Sequence, residues 1–341
     1  MNLKLSIIIL NWNGWQDTIE CLESVFQNDY SNYNVIVVDN HSKDESVQKI
    51  KEYCNGKIEV KSPLFRYDPH NKPLEILETE FDDDFQRKRI VEFPSKKLFL
   101  IKNDKNEGFA EGNNIGIRYV LNNLNPDYIL FLNNDTIVDK EFLVQMLKIS
   151  ESNDKIGIAG PKIYYYDEPN RIWFAKGKIS WKFCRGLNTG HNEIDVGQHD
   201  QVAEVEYVSG CAFLIKKEVI EKIGLLDKRF FLYFEEIDLT LRASQIGYKS
   251  VFVPEGKIWH KISRSGGGIS GNVGLYYITR NRWLLMRRWA KKTDFLFFII
   301  YQAVGALILP LSLSIYYKNP KLFSAYYRGI YDGLATIIND F

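Results

Sequence analysis

Apolar and polar positions along this chain alternate in blocks that predict strands and helices in turn. Leu3–Leu10 and Asn34–Asp39 are short, β-branched apolar runs; between them Thr18, Cys21, Leu22, Val25 and Phe26 fall at helical spacing. A strand, an amphipathic helix and a second buried strand open a parallel sheet. A second helix is expected from about Asp44 to Tyr53, sheet again at Leu98–Ile101, a helix from about Phe109 to Asn122, and a buried strand at Tyr128–Leu132. From about Ile156 to Tyr207 the chain reads as short strands and loops, including Lys162–Tyr166 and Arg171–Ala175. Helices return at Lys217–Ile223 and Glu235–Ile246, followed by a final short strand at Val251–Val253. A Gly-rich loop, Ser265–Gly268, leads into a basic helix from about Asn272 to Trp289. This alternation is that of an α/β fold.

Two stretches interrupt the pattern. Residues 61–97 are punctuated by Pro63, Pro69, Pro73 and Pro94 and carry Asp82–Asp84 and Arg87–Arg89, which reads as an insertion or mobile loop. Phe295–Tyr317 is 23 residues without a charge, and a bilayer crossing needs roughly 20. Arg287, Arg288, Lys291 and Lys292 precede it and Lys318, Lys321 and Arg328 follow, so the flanks set no orientation. Pro310, with Ser312 and Ser314, predicts a break or hairpin within the run. Membrane contact is the reading adopted; a buried helix pair in a soluble protein is the other. The chain thus divides into a domain over 1–270 and a basic, apolar helical region over 271–341.

Composition narrows the classes. With 44 basic and 43 acidic residues in 341 the formal net charge is +1, so no general attraction to nucleic acid is expected. Cys21, Cys54, Cys184 and Cys211 are scattered without a Cys-x-x-Cys pair, which argues against a disulfide framework or structural zinc and for a reducing compartment. The N-terminal apolar run is too short for a secretion signal and leads directly into Asn11-Trp-Asn-Gly. A cytoplasmic protein, at the inner face of the cell membrane, is expected.

Ligands of an open parallel sheet bind beyond the carboxyl ends of its strands, so the polar residues there carry the chemistry. Asn11 follows the first strand and Asp39 ends the second, where a carboxylate can accept the imide N–H of a uracil or thymine ring; Ser42 and Asp44 nearby are suited to helix capping. Asn106-Glu-Gly-Phe-Ala-Glu-Gly-Asn-Asn opens a helix with glycines that allow close backbone approach, but its spacing matches neither a dinucleotide fingerprint nor a P-loop. Asn133-Asn134-Asp135 ends an apolar strand, and one such carboxylate can hold Mg²⁺ or Mn²⁺ if a substrate diphosphate adds ligands. Glu235 and Glu236, with Asp238, begin a helix after Phe230, Phe231, Tyr233 and Phe234. Acidic residues at a helix start also answer the macrodipole; two adjacent carboxylates behind an aromatic wall suit a general base, whose pKa the helix terminus would lower. His260 precedes Arg264 and the Gly-rich loop, and Arg280 and Arg282 are placed to grip a diphosphate while the later basic residues face lipid headgroups.

Taken together, Ser6–Gly14, Val37-Val-Asp-Asn, Asn106 to Asn114, Leu132-Asn-Asn-Asp, Val208-Ser-Gly-Cys-Ala, Phe230 to Leu239, and His260 with Arg280-Asn-Arg resemble the family 2 glycosyltransferases of the GT-A fold, closest to their rhamnosyltransferase-like branch. The resemblance implies a nucleotide-binding α/β/α sandwich with a mostly parallel central sheet and an apolar helical C-terminal extension. It implies that Asp39 contacts the base, that Asp135 ends the metal-binding motif with His260 beside it, and that Glu236 is the catalytic base. Asn11, Asn106, Gly108, Asn113, Asn134, Arg280 and Arg282 would bind the donor, and Gly210, Glu235, Asp238 and Arg264 other parts of the substrates. Mg²⁺ or Mn²⁺ and a dTDP- or UDP-linked sugar are the implied cofactor and donor, with a glycan or polyprenyl-diphosphate-linked acceptor. Two departures stand out: the acidic motif keeps only its last carboxylate, and Glu236 stands where Asp is commoner. A nucleotidyltransferase is the nearest enzymatic rival, and a catalytically weak sugar-nucleotide-binding membrane protein the second.

Overall fold

The computed structural model describes residues 2–80, 93, 95–262 and 268–339. Its first half runs β1 (Leu5–Asn11), α1 (Trp15–Phe26), β2 (Tyr33–Asp39), α2 (Ser46–Cys54), β3 (Ile76–Glu80), β4 (Leu98–Lys102), α3 (Gly108–Asn123), β5 (Tyr128–Asn133), β6 (Thr136–Val138) and α4 (Phe142–Ser150). The second half is β7 (Ile156–Tyr165), β8 (Ile172–Phe174), β9 (Lys176–Ser180), β10 (Arg185–Thr189), β11 (Ala203–Val205), β12 (Ala212–Lys216), α5 (Lys217–Ile223), α6 (Glu235–Gln245) and β13 (Lys249–His260), then α7 (Asn272–Trp289), α8 (Lys292–Tyr316) and α9 (Lys321–Asn339).

The main sheet has the order β11-β13-β7-β12-β5-β1-β2-β4-β3, with β6 beside β13 and β8 beside β7. Pairing is parallel from β5 through β1, β2 and β4 to β3, and again between β7 and β13; β12 is the antiparallel strand that joins the two halves. Each central strand is apolar on both faces, as a sheet covered by helices on each side requires. Ile7, Ile9, Val35, Val37, Leu130 and Leu132 point to one core, which Leu22, Phe142 and Met146 of α1 and α4 complete. The alternate residues Ile8, Ile36, Val38, Ile129 and Phe131 meet Ile115, Ile117, Val219 and Leu239 from α3, α5 and α6. The expected α/β architecture is therefore present.

Three expectations change. Over 61–80 the presumed loop is tied down: Lys72 reaches buried Glu23 at 2.8 Å and Tyr53 at 3.2 Å, Leu74 N–H bonds Cys54 O at 2.8 Å, and β3 adds a parallel edge strand. Residues 81–92 and 94 lie outside the described residues. The final strand does not stop at Val253. A register shift between Val253 and Lys257 absorbs Pro254–Gly256, and pairing with β7 resumes through His260. Pro310 does not break the apolar run, since α8 is continuous over 25 residues. A proline deprives the carbonyl four residues earlier of its helical partner. That carbonyl, Ala306 O, instead accepts the Tyr327 hydroxyl of α9 at 2.7 Å.

The C-terminal helices are bound to the body, with α9 seated on α7 at unusually close range. A Cβ on Gly329 would lie 2.8 Å from Thr279 Cβ and from Tyr276 O, and one on Gly333 would lie 2.5 Å from the Trp283 ring. Phe298 of α8 is buried against Trp283, with ring centroids 5.1 Å apart. The opposite face of α8 is bare: Leu307 is 79% and Ile315 67% exposed.

Candidate functional site

At the carboxyl rim of the parallel strands lies a cleft of about 1020 Å³, floored by Leu10, Asn133 and Asn134 and walled by the 231–236 segment, α7 and α9. Backbone register assembles its centre. Thr136 of β6 pairs with His260 at the end of β13, and Lys261 N–H bonds Asp135 O at 3.0 Å. This sets His260 Nε2 3.2 Å from Asp135 Oδ1, both residues over 90% buried. Beyond this ion pair Asp135 Oδ1 has no hydrogen-bond partner, and His260 Nδ1 has none; a buried polar atom left so calls for an explanation. Burial pushes the Asp135 carboxyl up, but His260 outweighs it and holds its pKa below the usual value. Burial likewise opposes a charged His260, yet Cys211 and Asp135 raise its pKa well above the histidine norm.

The pair fits a hard divalent ion. Two ligands set at right angles on an octahedral ion with bonds of about 2.1 Å stand about 3 Å apart, close to the observed spacing. Two protein ligands suffice where a diphosphate supplies others; among the described residues no group of three or more His, Cys, Asp or Glu is arranged to hold a metal.

The second centre is the turn that presents Glu235 and Glu236. Phe231 (φ 60°), Tyr233 (φ 72°) and Phe234 (φ 75°) all have left-handed backbone, each at a cost of about 1–2 kcal/mol for a side chain other than glycine. The surroundings enforce it. Asn281 Nδ2 lies 2.8–2.9 Å from the carbonyls of Phe230, Leu232 and Tyr233. Phe231 O accepts Phe109 N–H at 2.6 Å, and its ring stacks on Tyr277 at 4.8 Å. Gly108 (φ 75°) makes room for that ring, because a Cβ there would approach it to 2.5 Å.

Glu235 is 4% exposed with Oε2 unpartnered, and burial with the neighbouring Glu236 charge pushes its pKa well above the usual carboxylate value. Glu236 faces Gly210 across the cleft wall. Burial raises it to about 7, and the backbone N–H groups of Glu236 and Ile237 at the helix start only moderate the shift. The expectation of a lowered pKa is therefore corrected: loss of hydration outweighs the helix terminus.

Of the anticipated residues, Asp135, His260, Glu235, Glu236, Asn106, Gly108, Asn134 and Gly210 share this cleft. Asn106 Oδ1 takes Gly108 N–H at 2.9 Å and Asn40 Nδ2 at 3.0 Å, and Asn134 Nδ2 is 3.0 Å from Thr18 Oγ1. Several others do not line it. Asn11 and Asp39 are buried against each other at 2.7 Å, and Asp39 also accepts Ser42 N–H at 3.1 Å, so the two brace the β2–α2 turn. Asn113 bonds Phe109 O at 2.8 Å inside α3. Asp238 is fully buried on Arg242 (2.8 Å), Arg288 (3.0 Å) and the Trp289 indole (2.9 Å), a structural knot joining α6 to α7. Arg280 donates to Arg229 O at 2.8 Å, and Arg282, roughly 200° further round the helix, carries its carbonyl against the Cys184 thiol. Arg264 lies outside the described residues.

Sequence reasoning missed Asn281, hidden between those two arginines. It also missed Trp12 and Trp173 in the cleft wall, the latter 4.8 Å from the His260 ring, and Lys321 and Arg328, which were noted only as flanks of the apolar run but line the cleft from α9. Only the exposure of Trp12 directly after a strand could have signalled these.

Known proteins resemble this chain in sequence and in fold. The family described as Glycosyltransferase like family 2 matches residues 82–285, and Glycosyl transferase family 2 matches residues 6–74. The dTDP-rhamnosyl transferase RfbF of Shigella flexneri is 27% identical over 248 residues, covering 66% of this chain and 79% of its own length. An N-acetylglucosaminyl-diphospho-decaprenol L-rhamnosyltransferase of Mycobacterium tuberculosis is 33% identical over 63 residues, 18% of this chain and 20% of its own. Among solved structures, the mannosyltransferase PcManGT of Pyrobaculum calidifontis in complex with GDP-Man and Mn²⁺ superposes with a TM-score of 0.53 at 12% identity, covering 99% of this chain and 79% of that one.

Proposed function

Since this chain belongs to the family 2 glycosyltransferases, in their rhamnosyltransferase-like branch and with their GT-A fold, we propose that it moves a sugar, rhamnose foremost, from a nucleoside-diphosphate donor to an acceptor hydroxyl with inversion. The observation that carries this reading is that Asp135, His260 and Glu236 open on one cleft. Glu236 takes the proton from the acceptor hydroxyl. The freed oxygen attacks the anomeric carbon opposite the nucleoside diphosphate, whose bond to that carbon breaks in the same displacement. Asp135 and His260 would hold Mg²⁺ or Mn²⁺, which supplies positive charge against the departing diphosphate oxygens. The indole face of Trp12, 44% exposed at the mouth, offers the donor base a stacking surface. Gly-rich phosphate-loop chemistry is lacking at Asn11–Gly14, which disfavours nucleotidyl transfer. The test is acceptor-dependent release of nucleoside diphosphate from a dTDP- and UDP-sugar panel with Mn²⁺; release of pyrophosphate instead would overturn the reading.

The pH dependence follows from Glu236. Only the carboxylate accepts a proton, and burial delays its ionisation to about pH 7, so kcat/KM should rise about tenfold per unit up to that pH and then level. A profile flat between pH 5.5 and 8 would remove Glu236 from the role of base.

The acceptor reading includes a glycan or a polyprenyl-diphosphate-linked sugar at the cytoplasmic face of the membrane. α8 is long and apolar enough to span a bilayer, but its packed side holds it to the body through Phe183, whose ring is 5.6 Å from Phe297 and 5.2 Å from Tyr301. We therefore place it along the surface, with its bare face in the lipid. Changing Leu307, Leu311 and Ile315 together to Glu should move the protein from floated anionic vesicles into the soluble fraction; unchanged flotation would rule this surface out.

A further inference from the structure

Trp12 and Trp173 both line the cleft, and the sheet sets them on opposite sides of Asp135. Trp12 follows β1, which pairs with one edge of β5, the strand leading to Asp135; the other edge of β5 pairs with β12. β12 goes on to pair with β7 at Ile158 and Ala159. Further along that edge β8 takes its place at Ile163 and Tyr164, since β13 holds the opposite edge of β7. Trp173 of β8 therefore stands on the β12 side. So does Gly210, just before β12, against which Glu236 packs.

Ile172 and Phe174 are buried, while Trp173 between them lines the cleft. Its carbonyl is held by the Asn188 side chain and by His191 Nδ1 at 3.0 Å, and its ring meets that of His260 edge to face at 65°. Phe231 and Tyr277 cover each other with near-parallel rings, but among the described residues no ring stacks parallel on the Trp173 indole. Trp259 and Trp289 give their indole N–H to Pro169 O and Asp238; that of Trp173 has no acceptor among the described residues. The indole is thus fixed at its backbone and open at its face and its N–H.

We propose that Trp173 is the residue that selects the acceptor: the apolar face of a terminal pyranose ring lies on the indole, with one hydroxyl directed at Glu236 and another taking the indole N–H. This rests on the glycosyl-transfer reading and names the side chain that recognises the acceptor sugar within it. An indole offers a large rigid apolar surface with a polar handle at its edge. A pyranose matches both, with C–H groups on its faces and hydroxyls at its rim. The surface offered to the donor base, Trp12, lies on the other side of Asp135.

The test uses the full chain in detergent, with methyl pyranosides of N-acetylglucosamine, glucose, galactose, mannose and rhamnose as probes beside dTDP and UDP with Mn²⁺, in direct binding measurements. At least one pyranoside should bind the unaltered protein. Trp173→Ala should weaken that pyranoside at least about tenfold, while nucleoside diphosphate and the Mn²⁺ requirement shift by less than about twofold. Trp173→Tyr should restore most of the affinity. Undiminished pyranoside binding in the Ala variant, or none by the unaltered protein, would overturn the proposal. So would a raised Mn²⁺ requirement with the pyranoside unaffected, which would make Trp173 a prop for the His260 ring. A matching loss of nucleoside diphosphate would give the indole to the donor and overturn it equally. Failure of the unaltered protein to bind either nucleoside diphosphate with Mn²⁺ would instead strike the transferase reading itself.

Discussion

Glu236→Gln should cut kcat by about 10²–10⁴-fold, the range a positioned general base contributes, while donor affinity changes by less than about threefold. The amide keeps the side chain's length and its place against Gly210, so the loss is chemical and not steric. It should also abolish the rise of activity toward pH 7, because no titrating group remains at that position. Single-turnover rates with saturating donor and acceptor separate the two effects. A variant within tenfold of the parent enzyme would mean that some other group takes the proton.

Asp135→Asn should lower turnover by about 10²-fold or more and shift the Mn²⁺ requirement upward, since neutralising one of the two proposed ligands would remove the charge that holds the ion. His260 would be left with its pKa no longer supported by the carboxylate 3.2 Å away. Chelation of the parent enzyme should stop turnover and added Mn²⁺ restore it. Full activity of the parent in chelator would refute the metal reading, because the acidic motif offers no second carboxylate in reserve.

Much of the fold was legible because buried parallel strands write themselves as apolar runs: β1, β2, β4 and β5 fall within two residues of their expected ends. Strand β12 was missed, since Ala212–Lys216 runs directly into α5 and reads as the approach to a helix. Strand β13 was cut short because Pro254-Glu-Gly256 normally ends a strand, and only the pairing with β7 shows the bulge that carries it to His260. In the site, Asp135 and His260 could be singled out because chemistry at strand ends has a positional rule, whereas Glu236 stands in the first turn of α6 and drew notice only through its acidic neighbour and the aromatics before it. Asn11, Asp39, Asn113 and Asp238 turn to partners within the protein and do not line the cleft, and sequence does not reveal which way a side chain turns. The left-handed Phe231, Tyr233 and Phe234 carry no glycine or asparagine to announce them. Their conformation is imposed from α7, about fifty residues away.

That imposition decides what can be separated from what. Glu236 sits in the 1–270 segment, yet the amide that shapes its loop belongs to Asn281, and the helix carrying Asn281 is clamped by α9 through Gly329 and Gly333. A chimera that grafts residues 1–270 onto another protein's C-terminal tail would inherit Glu236 without the mould that aims it. Any exchange of C-terminal helices between relatives therefore calls for leaving α7 and its asparagine in place.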